Sequence, residues 1–242
     1  MDSLIMEIRA GAGGEEAAIF VNDLFRMYSK YAAKKGFKLS VLDSLPSVSN
    51  GFKYIIFEIS GNEAYEKLKY EGGVHRVQRV PKTEKSNRIH TSTVSVAVLL
   101  KPKETQIKIN PNEIKMDFYK SSGPGGQYVN KRQTAVRVTH LPTGLIVNCQ
   151  TMRNLEENKK AAFSLLRAQL YQRERQKVES QMSSERLSQI KTADRAEKIR
   201  TYNFPQDRIT DHRINKNWHN IEKILDGNLD VLINKLKSLS AN

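Results

Sequence analysis

Apolar residues follow two periods along this chain, and the alternation between them predicts its elements. Ala17, Val21, Leu24, Phe25, Tyr28 and Ala32 recur three or four positions apart, which places them on one face of a helix that Gly36 can close. Residues 37–43 and 54–59 have strand character and flank a turn at Ser49-Asn50-Gly51. Asn62 is the expected N-cap of a short helix running to Tyr70. Beyond it, 74–80 and 89–100 are β-rich, and the polar connection from Pro81 to Arg88 between them is expected to be the most exposed feature of the region.

Charged and proline-containing residues from 101 to 111 interrupt the apolar period and mark a boundary, giving a first module over 1–110. A second module covers 111–195. In it, 115–121 reads as a strand, 122–127 as a loop, and 134–140 with 145–150 as a hairpin turned by Pro142-Thr143-Gly144. A long helix follows from about Asn154, with Ala162, Leu165, Leu166 and Leu170 on its apolar face. The stretch 172–188 is so polar that this helix is expected to fade there into a charged connector. The segment 196–242 carries a second amphipathic helical pattern over 217–239, built on Ile221, Ile224, Leu225, Leu232 and Leu236. Together these patterns predict an α+β protein made of two α/β modules and a C-terminal segment.

Charge adds a partner to this picture. Forty lysines and arginines oppose 26 acids, a net charge of +14, for which a polyanion is the simplest partner and nucleic acid the first candidate. A lysine-rich solvated surface is the plainer alternative. No apolar run approaches the roughly 18–20 residues that cross a bilayer, and the first residues lack a secretion-signal pattern, so no membrane partner is expected. Cys149 is the single cysteine and reads as a half-buried structural thiol suited to a reducing compartment.

Two strings carry candidate chemistry. In Gly123-Pro124-Gly125-Gly126-Gln127, paired glycines allow backbone angles that a side chain forbids and let another molecule approach the main chain, which makes the Gln127 amide available. Lys120, Lys131 and Arg132 flank the loop and suit an RNA-lined cavity. A flexible glycine-rich turn is the alternative reading. In the second string, Pro81 fixes a dihedral, Thr83 offers a donor and an acceptor, and His90 offers a ring on which a base can stack. An ordinary hairpin opened by proline would look the same. The glycines of Ala10-Gly11-Ala12-Gly13-Gly14-Glu15-Glu16 do not make a phosphate loop, since no Gly-Lys-Ser/Thr follows and two acids hold the helix start. No histidine or acid has metal-ligand spacing; Asp211-His212 reads as a structural pair, and neither metal nor cofactor is expected.

The run from Ser121 to Asn130, followed by Thr139-His140-Leu141-Pro142-Thr143-Gly144, resembles the Gly-Gly-Gln domain of bacterial and organellar class I peptide chain release factors. Pro81-Lys82-Thr83 resembles the reading loop of the type 1 members, which decode UAA and UAG, and Arg200 to Ile214 is a further match. The resemblance implies a codon-recognition module, a Gly-Gly-Gln hydrolysis module and a C-terminal segment packing back on the first. It implies that Gly125, Gly126 and Gln127 promote water attack on the peptidyl-tRNA ester. Pro81, Lys82 and Thr83 would face the first two codon bases, His90 would stack at the second, Gln78 and Thr91 would contact the third, and Gly13 and Glu16 would approach the first uridine. Implied partners are the ribosome, with its RNA, the messenger and peptidyl-tRNA, and a glutamine methyltransferase acting at Gln127 N5. The implied compartment is the cytoplasm or an organellar matrix.

Whether such a chain counts as an enzyme is left open, because catalysis is shared with the ribosome. The sequence enters the codon-reading module at once, without the family's usual N-terminal helical domain, which leaves the translational GTPase release factor open as a partner. Tyr128 replaces the family's usual histidine, and 153–158 replaces a basic segment. A ribosome-rescue hydrolase acting without codon recognition, or a non-catalytic ribosome-binding protein, remain as alternatives; the Pro81-Lys82-Thr83 and Gly125-Gly126-Gln127 strings argue against each in turn.

Overall fold

The computed structural model describes residues 2–48, 50–81, 87–101, 109–121, 132–190 and 197–240. The chain forms two compact units, one of Met1–Pro102 with Met182–Asn242 and one of Lys103–Gln181. Both combine a sheet with helices, as the α+β reading requires.

In the first unit, β1 (Asp2–Ala10), β2 (Lys38–Pro46), β3 (Phe52–Gly61), β4 (Gly73–Arg79) and β5 (His90–Leu100) join three later strands, β9 (Lys198–Asn203), β10 (Arg208–Asp211) and β11 (Lys216–His219). The sheet order is β11-β10-β9-β4-β5-β1-β3-β2, and β4 with β9 is its parallel pair. Strict alternation in β3 buries Ile55, Phe57 and Ile59 on one face. Helix α1 (Glu15–Lys35) lays Ala17, Phe20, Val21, Leu24, Met27 and Tyr28 against the sheet. Each large apolar side chain fully removed from water there stabilises the unit by roughly 1.5–3 kcal/mol. Gly36 closes the helix in the left-handed conformation, as the sequence predicts.

Three local readings need correction. The short helix α2 (Ala64–Leu68) is preceded by Glu63 in a left-handed conformation and has no side-chain cap, so Asn62 is not its N-cap. The stretch 217–239 is not one helix: Lys216–His219 is β11, and α4 (Ile221–Leu225) and α5 (Asp230–Ser240) follow it. Asn220 is left-handed and Gly227 has φ +86°, where a Cβ would lie 2.7 Å from the Tyr31 nitrogen. The backbone breaks at those two residues. The long helix α3 (Leu155–Ile190) does not fade across 172–188; its polar middle is exposed helix.

A buried charged network joins β4, β9, β10 and α1. The fully buried Arg200 guanidinium donates to both oxygens of Glu71 (2.7 and 2.9 Å) and to Asp211 Oδ2 (3.3 Å). Arg213 also donates to Asp211, at 2.6 Å, and Tyr28 to Glu71, at 3.0 Å. Burial pushes the Glu71 carboxyl up, but Arg200 outweighs it and holds the group below the ordinary carboxylate range. His75 Nε2 bonds the Glu71 carbonyl oxygen (2.9 Å), and its Nδ1 lies 3.3 Å from the Tyr202 hydroxyl. Burial, reinforced by Arg200, lowers the His75 pKa from 6.5 to about 4, and burial pushes the Tyr202 hydroxyl up to about 12.

This sets a pH dependence. Between pH 6.5 and about 4 the unfolded chain binds a proton at residue 75 that the folded chain refuses, so His75 favours folding above 6.5 and that contribution is lost as pH falls toward 4. The loss is about 3 kcal/mol. Urea midpoints across this interval are expected to fall less steeply for His75→Gln; parallel profiles would refute the assignment.

In the second unit, β6 (Ile114–Tyr119), β7 (Ala135–His140) and β8 (Leu145–Cys149) form an antiparallel sheet. Val136, Val138 and Val147 pack on Ala162, Leu166 and Leu170 of α3. Cys149 is half-buried, as expected. Among the described residues no helix is long and apolar enough to cross a membrane.

Candidate functional site

The hairpin of β4 and β5 positions the first candidate set. Its register puts Gln78 opposite Thr91 and Arg79 opposite His90, so these four residues form the base from which the 80–89 connection springs. Pro81 is buried, His90 is exposed, and Gln78 and Thr91 are half-buried. Lys82 and Thr83 lie outside the described residues.

The turn before α1 is stitched to the same hairpin. Gly11 N–H donates to the Thr93 carbonyl (2.8 Å), Thr93 N–H to the Ala12 carbonyl (2.8 Å), and Ala12 N–H to Thr93 Oγ1 (3.0 Å). Gly13 then has φ +127°, and a Cβ on it would fall 2.1 Å from Ser92 Oγ and 2.5 Å from Ser92 Cβ. Ser92 is buried and cannot swing aside. Gly13→Ala is therefore expected to cost the first unit about 1–3 kcal/mol. Adding Ser92→Gly should restore part of that in urea unfolding; no restoration would show that the cost lies in φ alone.

Glu16 sits in the first turn of α1, only 5% exposed, and its carboxylate is ion-paired with Arg79. Arg79 also donates to Asp23 at 2.7 Å and lies over the Phe204 ring at 5.1 Å. Burial lowers the Arg79 pKa, but Asp23 and Glu16 more than reverse this and raise it. Glu16 thus acts in this structure as a brace: it holds the last residue of β4 and fixes where the 80–89 connection leaves the sheet. The sequence analysis missed Arg79 in this role. A signal was present, since Glu16 and Asp23 are seven apart and share one face of α1.

The structure therefore gathers Gly13, Glu16, Gln78, Pro81, His90 and Thr91 around one end of the β4–β5 pair. They lie on three stretches of chain joined by hydrogen bonds and one ion pair. Hydroxyl, amide and imidazole groups at such an end can read donors and acceptors on unstacked bases.

The second candidate set, Gly125, Gly126 and Gln127, lies outside the described residues. Its mounting does not. Tyr119 at the end of β6 pairs with Ala135 at the start of β7, and Ser121 Oγ lies 3.2 Å from Thr134 Oγ1, so the two limbs of the loop are held together at its base. Asn158 of α3, fully buried, donates to the Thr134 carbonyl (2.8 Å) and the Met152 carbonyl (2.9 Å) and accepts from Met152 N–H (3.0 Å). The Asn158 side chain thus pins the loop base to the helix.

Asp211 belongs to the Arg200 network, and His212 Nε2 lies 2.7 Å from Thr201 Oγ1, so the pair is structural. Among the described residues no group of three histidine, cysteine or acidic side chains could hold a metal ion.

Comparison with known proteins matches two domain families in succession along the chain, the second of which runs past the smaller unit into the returning part of the larger one. Residues 1–96 match the PCRF domain family and 103–213 the RF-1 domain family. Peptide chain release factor 1 of Carboxydothermus hydrogenoformans is 53% identical over 97% of this chain and 65% of its own length. Peptide chain release factor 1 of Thermotoga maritima is 53% identical over 97% of this chain and 69% of its own length. The chain thus spans about two thirds of the length of the curated relatives it matches. Among solved structures, RF2 of Thermus thermophilus superposes with a TM-score of 0.58 at 38% identity, covering 96% of this chain and 66% of that one.

Proposed function

The chain belongs to the class I peptide chain release factors, type 1, and from that premise we propose that it terminates translation on the ribosome by recognising UAA and UAG and promoting hydrolysis of the peptidyl-tRNA ester. The observation that carries the reading is the gathering of Gly13, Gln78, Pro81, His90 and Thr91 at one end of the β4–β5 pair, from which the Pro81-Lys82-Thr83 string departs.

Codon selection needs no base pairing. A hydroxyl or amide matched to one base leaves an unpaired polar group against another, at about 1–3 kcal/mol per mismatch. Pro81, Lys82 and Thr83 meet the first two bases, His90 stacks at the second, and Gln78 and Thr91 face the third. Gly13 lets the backbone approach the first base, with Glu16 bracing Arg79 behind it.

In the hydrolytic step water attacks the ester carbonyl carbon, negative charge grows on the carbonyl oxygen, and the bond to the tRNA ribose oxygen breaks as that oxygen takes a proton. Gly125 and Gly126 expose the Gln127 N–H, a fixed dipole that stabilises the developing oxyanion without reorganisation. The Gln127 carboxamide orients water but is too weak a base to accept its proton, so proton transfer falls to the ribosome and tRNA. A glutamine methyltransferase acting at Gln127 N5 fits the same loop.

The test is release of formyl-methionine from ribosomes programmed with UAA, UAG, UGA or no codon. Release at UAA and UAG alone is expected. Release with no codon would favour the rescue hydrolase. Replacing the reading string by the other family type, Pro81→Ser with Lys82→Pro and Thr83→Phe, should weaken UAG release by about 10-fold or more, the equivalent of one lost polar match. Unchanged UAG release would remove this string from codon reading.

A further inference from the structure

The outward face of the large sheet carries a groove that codon reading touches only at Gln78. Alternation along β4, β9 and β10 sends His75, Val77, Arg200, Tyr202, Ile209 and Asp211 into the core. It leaves Arg76, Gln78, Thr201, Asn203, Arg208 and Thr210 on the opposite face, where they line a groove of about 330 Å³. Register arranges them in two rows. Arg76 lies opposite Thr201 and Thr201 opposite Thr210; Gln78 lies opposite Asn203 and Asn203 opposite Arg208.

The chemistry of this lining is one-sided. No lining residue is a carboxylate, whereas Glu16, Asp23, Glu222 and Asp226 line the cleft beside Arg79 in the same unit. Arg208 Nε is buried and has no hydrogen-bond partner among the described residues. A buried donor left unpaired costs about 1–3 kcal/mol, a cost that an arriving acceptor removes. Arg76 donates through Nε to Thr201 Oγ1 at 3.1 Å, and Thr210 Oγ1 donates to Asn217 Oδ1 at 2.7 Å. Burial, and after it the charges of Lys198 and Arg76, lowers the His212 pKa against the opposing pull of Asp211. No phenylalanine, tyrosine or tryptophan lines the groove, and the one imidazole there, His212, is held by Thr201 at 2.7 Å, so the lining is chiefly one of donors for phosphate and sugar.

Gln78 belongs both to this groove and to the pair with Thr91 at the codon-reading end. Arg76 follows it on the same face at about 6.6 Å, two residues along the strand, a distance that the next phosphate of a single strand can span. We infer that the groove binds the phosphodiester backbone of the messenger RNA immediately 3′ of the stop codon, without regard to its sequence. This rests on the codon-reading proposal above, which supplies the anchored third base.

The test uses the full chain and two messages, one ending at the third base of UAG and one continuing several nucleotides beyond it. The concentration giving half-maximal formyl-methionine release is expected to be about tenfold lower on the longer message, with a log–log salt slope steeper by about 1.4 for two added phosphate contacts. In Arg76→Gln/Arg208→Gln this difference between messages should vanish. Arg208→Gln alone, which removes a nitrogen with no partner to lose, should remove part of it and guards against misfolding of the double variant. Equal half-maximal concentrations on the two messages for the native chain would overturn the inference. So would a loss in the double variant that is the same on both messages, which would assign the groove to ribosomal RNA. Release by the native chain that ignores the codon on both messages would instead strike the codon-reading proposal.

Discussion

Gly126→Val is expected to slow peptide release at a cognate stop codon by about 10²–10³-fold, the range associated with losing one oxyanion donor, while stop-codon-dependent ribosome binding persists. Valine is β-branched and excluded from the backbone angles that paired glycines permit, so the Gln127 N–H can no longer be presented to the ester. Gln127→Ala is the informative companion. It deletes the carboxamide and keeps the N–H, so its loss should be much smaller. Single-turnover release at saturating factor separates the two, because it reads the chemical step free of binding. A fully active Gly126→Val would end the backbone account. A Gln127→Ala as inactive as Gly126→Val would transfer the chemistry to the side chain.

The second large effect concerns folding. Arg200→Met should destabilise the first unit by about 3–5 kcal/mol, since it strands buried carboxylates that the guanidinium now neutralises. Glu71 loses both of its arginine bonds, whereas Asp211 retains Arg213. Adding Glu71→Leu to Arg200→Met should therefore recover a good part of the loss. Arg200→Lys should recover little, because one ammonium cannot reproduce two parallel bonds to Glu71 while also reaching Asp211. Urea midpoints of the three variants decide the matter, and a wild-type midpoint for Arg200→Met would mean that the network contributes nothing.

Local pattern carried much of this fold. The alternation in β3 and the spacing on α1 were readable because one side of each element faces apolar neighbours, and burial on one side is what a period records. The error over 172–188 has the same root. Apolar period reports a buried face, not helicity, and glutamine, arginine, glutamate, lysine and leucine propagate an exposed helix without one. Lys216–His219 was unreadable for another reason: four residues with one apolar ring become a strand because β10 lies alongside, held by a tight turn through the left-handed Asn215. The candidate site divides similarly. Its strings were visible as motifs, but the ties from Gly11 and Ala12 to Thr93 join stretches about eighty residues apart, and no short-range pattern encodes them. Nothing in the sequence around Arg200 marks it as a buried ion-pair centre. Only the fold reveals that Glu71 and Asp211 wait for it in the core.

The parallel pairing of β4 with β9 has a consequence for biosynthesis. Val74 rests beside Lys198, so the larger unit is woven from two stretches of chain between which the smaller is inserted in sequence. A nascent chain emerging from the exit tunnel must hold β4 with one edge bare, and Glu71 without its counter-ion, until more than a hundred further residues have been translated. Chains interrupted before Arg200 should accordingly be prey for chaperones and proteases, while the inserted unit, whose strands are near neighbours in sequence, can close as soon as its helix clears the ribosome.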